Sequence, residues 1–252
     1  MKPIVFLVSL LLLPGSMKVF KRGWLFLVKT PFLWHWILLG FAIGTILYFL
    51  VLRYARKWKT FEHEFTHAFV ALLFFRRIDR FVVTGSEGGY VQHSAGFGGE
   101  FGDHLIGLAP YFLPTFSFIF ALIYPFTPLK WLSWLLLLIG LTLAYHTFST
   151  INETIQNWNK ETFRQARTGK WVLSDIGRRG YIFSGLIIFV FTLLTHSIIF
   201  WLIKYGYHSL SLWVKIIWDS GIEYSLNAIG IIASLSTKIA NFINNIVMNL
   251  NL

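Results

Sequence analysis

Residues 63–67 read His-Glu-Phe-Thr-His. On a helix, positions i and i+4 lie one turn apart on one face, so His63 and His67 can each aim an imidazole nitrogen at one metal ion about 2.0–2.1 Å away. A divalent metal held there lowers the pKa of water to about 7 and polarises a carbonyl. Glu64 is placed to take the proton from that water and pass it to a leaving amine. The chemistry this pattern supports is metal-assisted amide hydrolysis, with His63 and His67 as ligands and Glu64 as general base and acid. The chain has no cysteine, which removes thiolate zinc sites, iron–sulfur clusters, disulfides and cysteine nucleophiles. Zinc held by histidine and carboxylate is the expected cofactor.

A catalytic zinc keeps three protein ligands and one open position, so a third ligand must come from elsewhere. The position six residues after His67, where a metzincin has its third histidine, is Leu73. Glu87 lies twenty residues after His67, but within the glycine-rich run Gly85-Ser86-Glu87-Gly88, so its match to a helix glutamate is accidental. Asp175 stands in Ser174-Asp175-Ile176-Gly177, at the entrance of a long apolar segment, where a carboxylate can be aimed inward from a helix start.

The surroundings of the motif are apolar. Of 252 residues, 56% are hydrophobic and only 13% charged, too few to coat a soluble domain, so lipid must replace water over much of the exterior. Two histidines and a glutamate in such a setting are costly unless they work, and polar groups at membrane depth are functional by default. The net charge of +11 sits in short basic runs beside apolar segments, such as Arg53, Arg56, Lys57 and Lys59, or Arg178 and Arg179. Runs of this kind orient helices and meet lipid headgroups, and they argue against nucleic acid as a partner.

These features imply an all-α polytopic membrane protein of about five to six transmembrane helices, with a small Gly-rich β-hairpin after the motif helix. Residues 1–30 form an apolar and basic N-terminal segment, whose first part resembles a signal-peptide core too short to cross a bilayer, a mis-annotated start or an anchor. Residues 31–204 are the membrane-embedded core. It includes a span at 33–52, the motif helix over 60–75, further apolar segments at 104–126 and 131–147, a polar stretch at 150–179 and a span at 181–204. Residues 81–102 hold seven glycines around two β-prone pieces, which suits a hairpin. Residues 205–252 read as an interfacial amphipathic segment, with Leu226, Ile229, Ile232, Leu235 and Ile239 recurring at helical steps.

The sequence resembles the site-2 protease family of intramembrane zinc metallopeptidases, in its compact bacterial form. The matching features are His63-Glu64-x-x-His67-Ala68 in an apolar helix, the hairpin segment Gly88-Gly89-Tyr90-Val91, and Gly107-Leu108-Ala109-Pro110-Tyr111. The resemblance implies that Asp175 is the third zinc ligand. Where the family carries Leu-Asp-Gly after an Asn-Pro-rich stretch, this chain has Asp175-Ile176-Gly177 with no proline nearby, and Glu153 and Asp103 are the alternative ligands. The implied activity is hydrolysis of peptide bonds in membrane-anchored proteins, in a multi-pass protein of the bacterial inner membrane.

Other residues have two readings each. His146 is a ligand-orienting group or a buried histidine satisfied by a carbonyl. Asn152 and Glu153 hydrogen-bond a ligand imidazole or substrate, or simply solvate a loop. Gly89 and Tyr90 offer a strand edge to an extended substrate, or belong to a plain structural hairpin. His93 and His104 fall at an interface. For Asp175 to meet the two histidines the chain must return to its starting side, so part of residues 104–149 is re-entrant or the motif helix stops midway. The runs at 53–59 and 160–179 then share the cytoplasmic side, and Lys18 to Lys29 agrees only if residues 1–14 also insert. The rival functions are a non-catalytic membrane metal-binding or partner-binding protein, and a membrane zincin of the prenyl-protein protease type with a glutamate as third ligand.

Overall fold

The computed structural model describes residues 2–84, 88–159, 163–164, 171–172 and 174–250. Glu87 and the Lys160 end of the second basic run lie outside them. Helix α1 (Lys2–Lys29) is continuous through Pro14, which removes one backbone donor without ending the helix. Gly15, Val19, Gly23 and Leu27 are buried at steps of four, with Lys18, Lys21 and Arg22 exposed between them. The short apolar core expected at the N-terminus is therefore the first half of a longer helix. Packing makes the difference: the Trp201 indole N–H donates to the Val19 carbonyl at 3.2 Å, and a Cβ on Gly15 would lie 2.6 Å from Ile217 Cα.

Helix α2 (Pro31–Leu50) runs beside α6 (Leu129–Asn159). They meet backbone to backbone at Gly40, Gly44 and Gly140, where a methyl group on Gly40 would overlap Leu137 and one on Gly140 would overlap Ile37. Small residues allow this approach, which in lipid gains dispersion rather than hydrophobic energy. The motif helix is α3 (Arg56–Leu73), followed by an antiparallel hairpin of β1 (Ile78–Val83) and β2 (Gly89–His93), with Val82 opposite Tyr90 and Val83 opposite Gly89. Arg76 is buried at the root of the hairpin. It pairs with Asp103 and donates to the Gly99 carbonyl at 2.9 Å, so the end of α3 is tied to the start of α4 (Gly99–Leu108).

Helix α4 leads through a short turn into α5 (Thr115–Ile123), and the two are bent by 95°. The bend lies within residues 104–149, where a re-entrant part is expected, and its geometry suits either a broken span or a re-entrant loop. Among the described residues, four helices, α1, α2, α6 and α8 (Tyr181–Tyr205), are long and apolar enough to span a bilayer, and the number is five if the bent pair counts as one span. The count falls at the low end of the expected five to six because α3 carries Arg56, Lys57, Lys59, Glu62 and Glu64. Helix α6 runs twelve residues beyond the segment expected to end at 147, reaching Asn159. Short α7 (Asp175–Arg179) precedes α8, and β3 (Phe163–Arg164) pairs with β4 (Trp171–Val172). Helix α9 (Leu210–Leu250) returns along α1, and beyond Gly221 its Leu226, Ile229, Ile232, Leu235 and Ile239 are all exposed.

The ends of the bundle can be told apart by contacts. Phe26 stacks on Tyr205, Tyr207 donates to the Leu122 carbonyl, and Gly206 approaches Pro125, so α1, α5 and α8 finish together. The end of α6, the start of α8 and the middle of α3 gather at the opposite end. Lys18 to Lys29 stands in the half of α1 away from that site, so basic runs flank both ends. Substituting Gly140→Leu should destabilise the bundle by about 1–3 kcal/mol, the usual cost of overpacking, seen as a lower thermal unfolding temperature in detergent.

Candidate active site

Helix α3 sorts its side chains by face. Trp58, Phe61, Phe65 and Phe69 form one aromatic row, with Phe61 and Phe65 stacked at 5.7 Å and Phe65 stacked on Phe116 at 5.6 Å. Glu62 and Thr66 point into the bundle, where Thr66 and Thr115 share a hydrogen bond of 2.6 Å. His63 and His67 lie on a third face, their rings 4.8 Å apart. The aromatic row wedges α3 against α5 and the hairpin, which turns the histidine face toward α4 and α7.

Each imidazole is oriented by a partner on Nδ1. Ile106 offers its carbonyl to His67 Nδ1 at 2.7 Å. A carbonyl only accepts, so Nδ1 carries the proton and Nε2 of the neutral ring presents a lone pair. For His63 the partner is Glu153, whose Oε2 lies 3.0 Å from Nδ1 and whose Oε1 accepts from Ser149 at 3.4 Å. Both Nε2 atoms face Asp175 from across the bundle: Oδ2 is 3.8 Å from each. These three donor atoms lie within 4.8 Å of one another. A tetrahedral zinc with bonds of about 2.0–2.1 Å holds its ligand atoms roughly 3.3 Å apart, so the set fits that ion with a small inward adjustment. Two imidazoles with outward hydrogen bonds plus a carboxylate are also the donor chemistry of a hydrolytic zinc centre.

Asp175 owes its place to the start of α7, where Ser174 caps the helix by accepting from the Gly177 amide at 3.1 Å. Burial opposes the ionisation of Asp175, and the Arg179 guanidinium, 3.6 Å from its Oδ1, favours it. Glu64 is buried, and the hairpin closes over it at Gly89. A Cβ on Gly89 would lie 2.6 Å from Glu64 Cγ and 2.7 Å from the Val82 carbonyl oxygen. Only glycine lets β2 sit this close to the glutamate.

The remaining expectations divide. Glu153 joins the site through His63, whereas Asn152 accepts from Gln156 at 3.0 Å and is not brought to the histidines. Among the described residues, His146 meets a carboxylate and a hydroxyl. Its Nδ1 lies 3.5 Å from the buried Glu62 carboxylate, with Thr150 alongside, so a second polar pair sits behind α3. Asp103 is committed to Arg76. His93 faces Arg76 and the Ser94 carbonyl, and His104 packs edge-on against Phe183. Tyr90 pairs with Val82 in the hairpin. Sequence reading missed the Ile106 carbonyl, the Glu62 partner of His146, the Tyr111 ring set edge-on to His63 at 5.8 Å, and Arg179. Of these, Arg179 alone left a signal, standing four residues after Asp175 at a helix start.

A helix bearing His-Glu-x-x-His inside an apolar bundle, with a distant aspartate closing the ligand set, defines a membrane-embedded metallopeptidase. The family model described as Peptidase M50B-like matches residues 22–156, just over half of the chain, and the chain belongs to that family, the one of the site-2 proteases. Comparison with curated proteins and with solved structures finds no match.

Two substitutions probe this arrangement. Glu153→Ala should leave His63 without its orienting carboxylate and weaken zinc binding about 10- to 100-fold in a chelator competition. Gly89→Ala should push Glu64 aside and slow peptide cleavage while about one zinc per chain is retained.

Proposed function

We propose that this protein is a zinc endopeptidase of membrane-anchored proteins in which His63, His67 and Asp175 hold the ion and Glu64 is general base and then general acid. The observation that carries the reading is the convergence of His63 Nε2, His67 Nε2 and Asp175 Oδ2 within 4.8 Å, next to a buried glutamate adjacent in sequence to the first of them. Zinc, when bound, supplies Lewis acidity toward water and the scissile carbonyl. Glu64 removes a proton from the attacking water and returns it to the departing amine. Glu153 and the Ile106 carbonyl keep both imidazoles turned toward the ion. The apolar bundle limits water to the site, which strengthens each of these electrostatic interactions.

The substrate class follows from where the site lies. An α-helical segment has no main-chain groups free for attack, so a substrate reaches this site in extended form. The strand edges of the β1–β2 hairpin offer main-chain donors and acceptors to such a segment, and Gly89 holds β2 against Glu64. We place the enzyme in the inner membrane of a bacterial cell, the setting that the compact form of the family implies.

The test uses purified full-length protein in lipid with an unwound, membrane-anchored substrate. Glu64→Gln should keep about one zinc per chain and lose cleavage by three or more orders of magnitude, and Asp175→Ala should lose zinc itself. Zinc bound by the wild type with no cleavage of any unwound substrate would favour a metal-binding protein without catalysis. Zinc lost on Glu153→Ala but kept on Asp175→Ala would favour a glutamate as third ligand.

A further inference from the structure

Asp175 divides its carboxylate between two neighbours. Oδ2 faces the two histidine Nε2 atoms at 3.8 Å, while Oδ1 faces Arg179 Nη1 at 3.6 Å. Arg179 is fixed from both sides. Nη1 also donates to the Asp175 carbonyl at 3.1 Å, and Nη2 donates to the Asp103 carbonyl on α4 at 3.0 Å. The guanidinium lies against Gly107, where a methyl group would overlap it. A planar fork held at three points cannot follow the carboxylate if it rotates.

We infer that Arg179 is a positioning residue that makes Asp175 a one-oxygen metal ligand. The inference rests on the zinc-site reading above. A carboxylate free to turn can offer both oxygens to a cation, which would fill the position that water and the scissile carbonyl need. Arg179, itself anchored by hydrogen bonds to two backbone carbonyls, holds Oδ1 by charge, leaving Oδ2 alone to the metal and the fourth position open. Gly107 is part of the same device, since any side chain there would displace the guanidinium. Arg179 thereby joins α7 to α4, the helix whose Ile106 carbonyl orients His67, so two ligands are set by one contact between helices.

The experiment measures metal binding by full-length protein in lipid, for the wild type and for Arg179→Gln, Arg179→Lys and Gly107→Ala. Zinc dissociation constants come from chelator competition, and Co(II) replaces zinc for absorption spectroscopy. Arg179→Gln should weaken zinc about 10- to 100-fold and lower the intensity of the Co(II) visible bands, as expected when a fourfold site gains a fifth donor. Arg179→Lys should recover part of the affinity, because a point charge can still face Oδ1. Gly107→Ala keeps the arginine but shifts it, and should move both readouts in the same direction by less. It also serves if Arg179→Gln does not fold. Unchanged affinity and an unchanged Co(II) spectrum in Arg179→Gln, or in Gly107→Ala where the former does not fold, would overturn the positioning role while leaving the zinc site standing. A wild type that binds no zinc would instead overturn the reading on which the inference rests.

Discussion

Three lone pairs aimed at one point are the constraint on which this structure turns. His63 and His67 come from neighbouring turns of α3, but Asp175 is 108 residues beyond His67, and only the fold brings its Oδ2 to 3.8 Å from both rings. Around that point each element has an assigned contact. Helix α4 supplies a carbonyl to His67, α6 supplies Glu153 to His63, and α7 supplies the carboxylate. Two imidazole lone pairs and a carboxylate oxygen converging in an apolar interior are costly unless a cation answers them, which is the demand a metal site meets.

Building such a site in lipid requires the bundle to be firm without a hydrophobic driving force between its helices. The backbone contacts of Gly40, Gly44 and Gly140 between α2 and α6, and of Gly15 between α1 and α9, meet that need through close packing. The polar groups needed for chemistry are then satisfied in pairs: Thr66 with Thr115, Ser117 with Thr142 at 2.7 Å, and Glu62 with His146. The hairpin is tolerated at this depth because its ladder is satisfied between β1 and β2 and because α3 covers it.

How much could be read from the sequence depends on the range of the interaction. The spacing of His63, Glu64 and His67 is a local helical property, and the glycine and β-branched pattern of residues 81–102 likewise announces a hairpin. Asp175 was a candidate from its place at a helix start, but only the family resemblance tied it to the histidines, since nothing in its spacing from His67 relates the two. Glu153 was ambiguous because the chain near it reads as a polar stretch, whereas α6 continues through it and its carboxylate meets His63 Nδ1. Residues 1–30 stayed open among several readings because the buried series Gly15, Val19, Gly23 is a packing face that shows only once α8 and α9 are beside it. Arg179 looked like one more member of a basic run, since charge patterning cannot tell a headgroup contact from a buried fork.

The most direct test of the account is to locate the metal and its ligands in zinc-loaded protein by anomalous diffraction. The account expects one zinc bound at about 2.0–2.1 Å by His63 Nε2, His67 Nε2 and a single Asp175 oxygen, with one position open to solvent. Zinc coordinated through either Nδ1, by Glu153 in place of Asp175, or away from α3 altogether would contradict it.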